Sequence, residues 1–100
     1  MNTDQPKIIK KEMGITHKDF YDELPNLLGG TPYHLYEETI SFELRGKRVE
    51  ISLGLEEVRK IGPSVTLPVA VVTLRFFVFS EEEMSDFIRH FNLKFMKGGG

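Results

Sequence analysis

Hydrophobic and polar residues alternate with a period of two through residues 33–36, 40–45 and 49–55. A period of two is typical of strands that bury one face and expose the other to water. The short tripeptide that starts at Arg45 joins the second stretch to the third. Its central Gly46 can take the positive φ that a tight hairpin turn requires. The pattern therefore predicts three strands in an antiparallel meander.

A fourth and longer strand is predicted over residues 65–79, where most residues are hydrophobic. Pro68 lacks a backbone N–H, so it must lie at the start, at an edge or at a bulge of that strand. The even-numbered positions from residue 70 onward are apolar and are expected to face the core: Ala70, Val72, Leu74, Phe76 and Val78. The odd-numbered positions form a mixed face, which is expected to lie on the other side of the sheet.

Helical spacing of apolar residues and capping signals predict two helices, one before and one after the four strands. The first helix begins at Thr16, whose hydroxyl can cap it, and Pro25 is expected to kink it or end it near Leu24. The second helix begins at Ser80, which is followed three residues later by a glutamate as in a capping box. It is expected to end near Asn92.

Together these elements predict an α+β fold in the order αββββα. The expected architecture is a four-stranded, mostly antiparallel sheet with both helices packed on one face. We expect a single domain over residues 15–97, because 100 residues are enough for one core and too few for two. Residues 1–14 show little periodicity and are expected to form a flexible arm, and residues 98–100 are expected to form a flexible glycine tail.

Composition and charge exclude several classes of protein. Cysteine is absent, which rules out disulfides, thiolate catalysis and thiolate metal sites. The formal net charge of −2, from 13 basic and 15 acidic residues, provides no general attraction to nucleic acid. The apolar stretches are too short for a membrane helix, and no signal peptide is evident. We therefore expect a cytoplasmic protein that binds neither nucleic acid nor membranes.

Neither metal binding nor catalysis has a supporting motif. His17, His34 and His90 are far apart in the sequence and form no His-x-His or i,i+4 pair, so no metal site is predicted. The serines have no histidine base near them in the sequence, and no phosphate loop is present. We therefore expect no cofactor and a non-catalytic protein. The alternative is a small-ligand protein or an enzyme with a pocket between the sheet and the helices.

Arg75 interrupts the apolar fourth strand, where an unpaired buried guanidinium would be costly. It must pair with a carboxylate, bind an anion or reach solvent, and pairing is favoured. The mixed face around it is the candidate interface: Val69, Val71, Thr73, Arg75 and Phe77. Apolar and aromatic side chains around an arginine are typical of binding surfaces. We expect a protein partner or a homodimer formed by sheet packing, unless Ile8 and Ile9 of the arm cover this face.

The last three residues of the sequence are glycines. Gly99 and Gly100 resemble the C-terminal Gly-Gly of small ubiquitin-like sulfur carriers. The resemblance implies that the terminal carboxylate can be adenylylated and can then carry sulfur or form an amide, because glycines thread a narrow active-site channel. The expected order of elements departs from the carrier fold, which has two strands before its helix. The sequence therefore favours a non-catalytic accessory or protein-binding module, with the carrier as the alternative.

Overall fold

The computed structural model describes residues 5–96, which form an antiparallel sheet and two helices. The elements follow the chain in this order: β1 (Lys7–Met13), α1 (His17–Leu28), β2 (Tyr33–Tyr36), β3 (Thr39–Leu44), β4 (Lys47–Leu53), β5 (Glu57–Lys60), β6 (Thr66–Phe76) and α2 (Glu81–Met96). The expected α+β class is confirmed. The expected strand number and order are wrong: the described residues form six strands rather than four, in the order βαβββββα.

The strands lie side by side in the order β1-β6-β4-β3-β2, and β5 pairs with the first half of β6. Each of these pairings is antiparallel. The long strand β6 is therefore central: β1 flanks one side, while β4 and then β5 flank the other. The outermost strands of this order are β1 and β2, and β5 also has one unpaired side.

The first additional strand, β1, lies within residues 1–14, which the sequence pattern assigns to a flexible arm. It pairs along its whole length with the second half of β6, ending with Met13 opposite Ala70. Ile9 and Met13 are half-buried and pack against the core. The lysines between and around them mask this period of two in the sequence, although a lysine stem can line a sheet while its ammonium group reaches water.

The second additional strand, β5, lies within residues 56–64, which the sequence pattern assigns to a connection. The backbone N–H of Ile61 donates to the carbonyl of Val65 at 3.0 Å and closes the turn that leads into β6. The four side chains of β5 are all exposed. The strand forms through backbone pairing with β6 and not through burial, so no apolar alternation marks it in the sequence.

A β-bulge separates β4 from β5. Between two paired positions the β4–β5 segment advances four residues (53 to 57), while β6 advances three (72 to 69). Gly54 lies at this bulge, and its N–H donates to the carbonyl of Val71 at 2.8 Å. A Cβ atom on Gly54 would lie 3.1 Å from that same oxygen, so the bulge favours glycine.

Helix α1 begins after Thr16, whose Oγ1 accepts a hydrogen bond from the backbone N–H of Asp19 at 3.0 Å. The helix continues through Pro25 to Leu28 and does not end near Leu24. A proline inside a helix costs about 3 kcal/mol because it cannot donate to the preceding turn. Burial of the two leucines that end the helix contributes about 1.5–3 kcal/mol each and offsets that cost.

Helix α2 begins with the expected capping box. The backbone N–H of Ser80 donates to Glu83 Oε1 at 2.9 Å, and the N–H of Glu83 donates to Ser80 Oγ at 3.1 Å. The helix runs past Asn92, where the sequence predicts its end. Phe95 in the additional turn stacks on Phe20 of α1 with 4.7 Å between the ring centroids, and this packing extends the helix.

The core lies between the helices and one face of the sheet. The prediction for β6 is confirmed at four positions, which are almost completely buried: Ala70, Val72, Leu74 and Phe76. The helix residues expected opposite them are buried too: Phe20, Leu24, Phe87 and Phe91. The prediction for Val78 is wrong, because β6 ends at Phe76 and Val78 is 64% exposed with a φ of 65°. The chain turns there toward α2 and buries Phe79 instead.

Candidate functional site

The face of the sheet opposite the helices is called the open face here. Successive side chains of a strand point to opposite faces, so the odd-numbered residues of β6 point away from the helices. The pairing of β1 and β4 with β6 places their neighbours on the same face. The open face consists of Ile8, Lys10 and Glu12 of β1, Val69, Val71, Thr73 and Arg75 of β6, and Glu50 and Ser52 of β4.

The described part of the N-terminal segment, residues 5–14, does not fold over the open face. In residues 5–96 it joins the sheet as β1, so Ile9 turns toward the core while Ile8 points to the open face. Ile8 is 54% exposed. The segment that the sequence offers as a cover therefore adds an exposed apolar side chain to this surface.

One end of the open face is apolar and is bounded by an ion pair. Val71 is 40% exposed, whereas Val69 is only 9% exposed and adds little accessible surface. The two guanidinium nitrogens of Arg59 donate to the two carboxylate oxygens of Glu12 at 3.0 and 2.6 Å. This bidentate bond lowers the pKa of Glu12. It joins β1 to β5 beside the exposed valine.

The open face becomes polar toward the end of β6. Arg75 Nη1 donates to Ser52 Oγ at 2.8 Å, and Ser52 Oγ lies 3.0 Å from Thr39 Oγ1. Within the described part of the chain no carboxylate forms a salt bridge with Arg75, and the carboxylate of Glu50 lies 3.5 Å from Arg48 Nε instead. The structure thus provides Arg75 with a hydroxyl partner, where the sequence analysis favours a carboxylate.

Phe77 lies just beyond the end of β6, and Arg48 covers it. The Arg48 guanidinium carbon is 4.2 Å from the centroid of the Phe77 ring, and the backbone N–H of Phe77 donates to the Arg48 carbonyl at 3.0 Å. Four of the five candidate interface residues therefore form one row along β6, and the fifth stands apart under an arginine.

The sequence analysis missed the contribution of β1 to this surface. Ile8, Lys10 and Glu12 alternate with residues that face the core, and this parity is the signal that could have placed them. Lys10 lies opposite Thr73 on β6. Among the described residues neither Lys10 nor Arg75 forms a salt bridge, so the open face carries two positive charges that are not neutralised by a bonded carboxylate.

The three histidines are not brought together. His17 Nε2 lies 2.6 Å from the carbonyl oxygen of Gly54, and His90 Nε2 lies 3.1 Å from that of Leu27, so both rings join separate parts of the fold. His34 lies on the outer strand β2. Over residues 5–96 no group of three or more histidine or carboxylate side chains is arranged to hold a metal ion.

A small cavity of about 230 Å³ lies between α2 and the turn that joins β3 to β4. Its floor is formed by Leu44, Phe79 and Phe87, and an ion pair between Lys47 and Glu83 lies at its side with 2.7 Å between the charged atoms. Hydrogen bonds from Lys47 and from the helix N-terminus lower the pKa of Glu83 to about 2. The carboxylate is therefore committed to capping α2 and to this ion pair.

No helix among residues 5–96 has the length and hydrophobicity needed to cross a membrane. Comparison with curated proteins found no match, and comparison with solved structures found none either. The family model described as "Archaeal MoaD-like protein" matches residues 10–100, which include all but the first three residues of β1, every later element and the three terminal glycines. This match fits a small protein of a non-catalytic or carrier type. The chain belongs to the archaeal MoaD-like family.

Proposed function

We propose that this protein is a carrier whose C-terminal glycine is the reactive group. The observation that carries the proposal is the family match, which continues through Gly98, Gly99 and Gly100. The body of the protein supports a carrier more than an enzyme, because the described residues bring together neither a nucleophile with a base nor a set of metal ligands.

The proposed chemistry takes place at the Gly100 carboxylate once that group is free. A carboxylate oxygen attacks the α-phosphorus of ATP, the bond to pyrophosphate breaks, and an acyl adenylate forms. A hydrosulfide or an amine then attacks the acyl carbon and displaces AMP, which yields a thiocarboxylate or an amide. Glycine suits this position because it has no side chain and passes through a narrow channel.

The position of α2 supports a role for the body in presenting the tail. The ring centroids of Phe91 and Phe95 near the end of α2 lie 4.6 Å apart, and both rings pack on Phe20. The last described turn is therefore held firmly on the core. Residues 97–100 can extend at most about 14 Å beyond it. An enzyme that reaches the terminal carboxylate must therefore also contact the folded body.

The open face supports the second part of the proposal, which is that a protein partner docks there. Ile8 lies opposite Arg75 on the neighbouring strand, and Val71 lies further along β6; both offer exposed apolar area. A mixture of apolar side chains and arginine is typical of interface cores. We assign this face to a different protein and not to a second copy, because two-fold packing centred on Arg75 would bring two guanidinium groups toward each other.

The absence of cysteine makes the carrier chemistry directly testable. The protein is isolated from its native cells and its mass is measured before and after treatment with iodoacetamide, a reagent for sulfur nucleophiles. We expect a fraction with one oxygen replaced by sulfur at the C-terminus, and only that fraction should gain one alkyl group. The fragment that contains the label must end at Gly100.

Two variants separate the carrier from a binding module without carrier chemistry. Gly99→Ala adds a methyl group to the terminal Gly-Gly pair, which should hinder its entry into a narrow channel and abolish the thiocarboxylate. Gly98→Ala leaves Gly99 and Gly100 intact and should retain the thiocarboxylate. If the protein from native cells keeps an unmodified C-terminus under conditions of sulfur transfer, the carrier proposal is wrong and the binding module remains. Arg75→Glu tests the open face separately. It should weaken partner binding and leave the chemical reactivity of the C-terminal carboxylate unchanged.

A further inference from the structure

The two outer edges of the sheet differ in how they are protected against pairing with another strand. β1 carries three lysines among its seven residues, and exposed lysines on an edge strand discourage further pairing. β2 has the sequence Tyr-His-Leu-Tyr, in which no side chain carries a permanent charge. Tyr33, Leu35 and Tyr36 are 42, 53 and 75% exposed, respectively. β2 is short and follows Pro32, but it lacks the lysines that protect β1 and it carries large apolar side chains.

The direction of the backbone groups on β2 follows from the neighbouring strands. The β3–β4 hairpin has a two-residue loop, so the pair that flanks it, Leu44 and Lys47, exchanges hydrogen bonds between β3 and β4. Alternate residues of β3 consequently bond to β4, and Thr39 and Ser41 bond to β2. The N–H of Leu53 donates to the carbonyl of residue 38 at 3.0 Å, which fits the same alternation, with the even-numbered residues bonded toward β4.

This alternation shows which residues of β2 direct their backbone groups toward the free edge. Thr39 and Ser41 lie opposite Tyr36 and His34, so these two residues of β2 direct their N–H and C=O groups toward β3. Those of Tyr33 and Leu35 point away from the sheet. No described residue donates a backbone hydrogen bond to them or accepts one from them outside the β2–β3 ladder.

We propose that two copies of this protein pair through β2, antiparallel, about a two-fold axis that passes between the two His34 residues. Tyr33 of each copy then lies opposite Leu35 of the second copy. Both residues direct their backbone groups outward, so each of these pairs exchanges two hydrogen bonds. The helices of both copies remain on the same side, and one continuous sheet runs through the dimer.

The second copy is favoured as the occupant because β2 is complementary to itself in this register. A two-fold axis perpendicular to a sheet preserves its faces, so Tyr33 meets Leu35 of the second copy on the helix side, an aromatic–aliphatic pair of the kind that stabilises strands. The acidic turn after β2 also matches: Glu37 lies opposite Thr31 of the second copy and not opposite another carboxylate. The alternative register, with Leu35 opposite itself, would place Tyr33 against the turn and lose one bonded pair.

Hydrogen–deuterium exchange of the purified protein at low and at high concentration tests the proposal, together with sedimentation velocity over the same range. We expect a monomer–dimer equilibrium. The amides of Tyr33 and Leu35 should become protected as the dimer forms, whereas those of His34 and Tyr36 should be protected at every concentration. Stable monomers in which the Tyr33 and Leu35 amides exchange freely at all concentrations would overturn the proposal.

Three variants identify the edge that is used. Leu35→Lys should weaken dimerisation by roughly tenfold or more, and Leu35→Pro, which removes an outward N–H, should abolish it with the melting temperature of the monomer retained. Ile8→Lys makes the same apolar-to-lysine change on the β1 edge and should leave the dimer intact. Leu35→Lys keeps the backbone N–H, so it still tests whether the β2 edge is used if the proline variant does not fold.

The remaining outcomes count against the proposal. A dimer that is insensitive to both Leu35 variants but dissociates on Phe77→Asp would mean that the copies associate near the open face. Growth beyond the dimer, into species whose size rises with concentration, would mean head-to-tail pairing of β2 with β1, which does not close. The proposal is independent of the carrier chemistry, since none of these measurements involves the terminal glycines.

Discussion

Leu74 and Arg75 are neighbours in the chain, but they belong to two surfaces with opposite properties. Leu74 is completely buried against the helices, while Arg75 is only half-buried and donates to a serine hydroxyl. The helix side of β6 is filled by apolar side chains, and the open side carries valine, threonine and arginine within the same strand. One strand can therefore supply the stability of the fold with one parity and the proposed binding surface with the other.

The largest expected effect is the loss of a core ring. Phe76→Ala, and likewise Phe87→Ala, should lower the free energy of unfolding by about 3–5 kcal/mol, because each leaves a cavity among packed phenyl rings. Chemical denaturation measures this loss. The matched control is Val71→Ala on the opposite parity of β6, which should cost less than about 1 kcal/mol. Similar losses at residues 71 and 76 would show that the two faces are not energetically different.

A pH-dependent loss is expected at the start of α2. The pKa of Glu83 is lowered from 4.5 to about 2 in the folded protein, so its contribution to stability is complete above about pH 4.5. The contribution is lost as the pH falls through the folded-state pKa. Glu83→Gln should remove this part of the acid dependence in denaturation curves, whereas Glu82→Gln in the same turn should not. Identical acid limbs for wild type and Glu83→Gln would contradict the capping and ion-pair geometry.

A smaller effect is expected at Arg75 on the open face. Arg75→Gln should change the free energy of unfolding by less than about 1 kcal/mol, because the variant loses one part-buried hydrogen bond to Ser52 and no ion pair. Calorimetry of the variant checks this value, with Leu74→Ala as the neighbouring control that should be strongly destabilised. A loss of several kcal/mol on Arg75→Gln would mean that the arginine serves the fold and not a partner.

The smallest effect is expected from the tail. Deletion of residues 98–100 should leave the melting temperature and the open-face binding unchanged, because Phe91 and Phe95 already hold the end of α2 on Phe20. Thermal unfolding of the truncated protein beside the full chain is the measurement. A lower melting temperature after truncation would indicate that the glycines contribute to the body. The deletion itself lies outside the described residues.

Parts of the candidate site follow from the sequence, and parts do not. The alternation along β6 is sufficient to assign Leu74 to the core and Arg75 to the other face, because a strand has only two sides. It is not sufficient to find the hydroxyl partner of Arg75 or the bond between Glu12 and Arg59. These contacts join residues 23 and 47 positions apart, and their distance depends on how the strands are ordered in the sheet.

Local chemistry by itself determined where the helices begin, which β6 residues enter the core, and that the sheet is antiparallel. Capping by Thr16 and Ser80 and a period of two act between near neighbours and need no distant contact. Tertiary packing decided the rest. It carried α1 through Pro25 and α2 past Asn92, because buried leucines and stacked rings outweigh a local stop signal. It also recruited β1 and β5 to β6. Lysines mask the alternation of β1 in the sequence, and β5 forms by backbone pairing with a long central strand, which leaves no hydrophobic pattern.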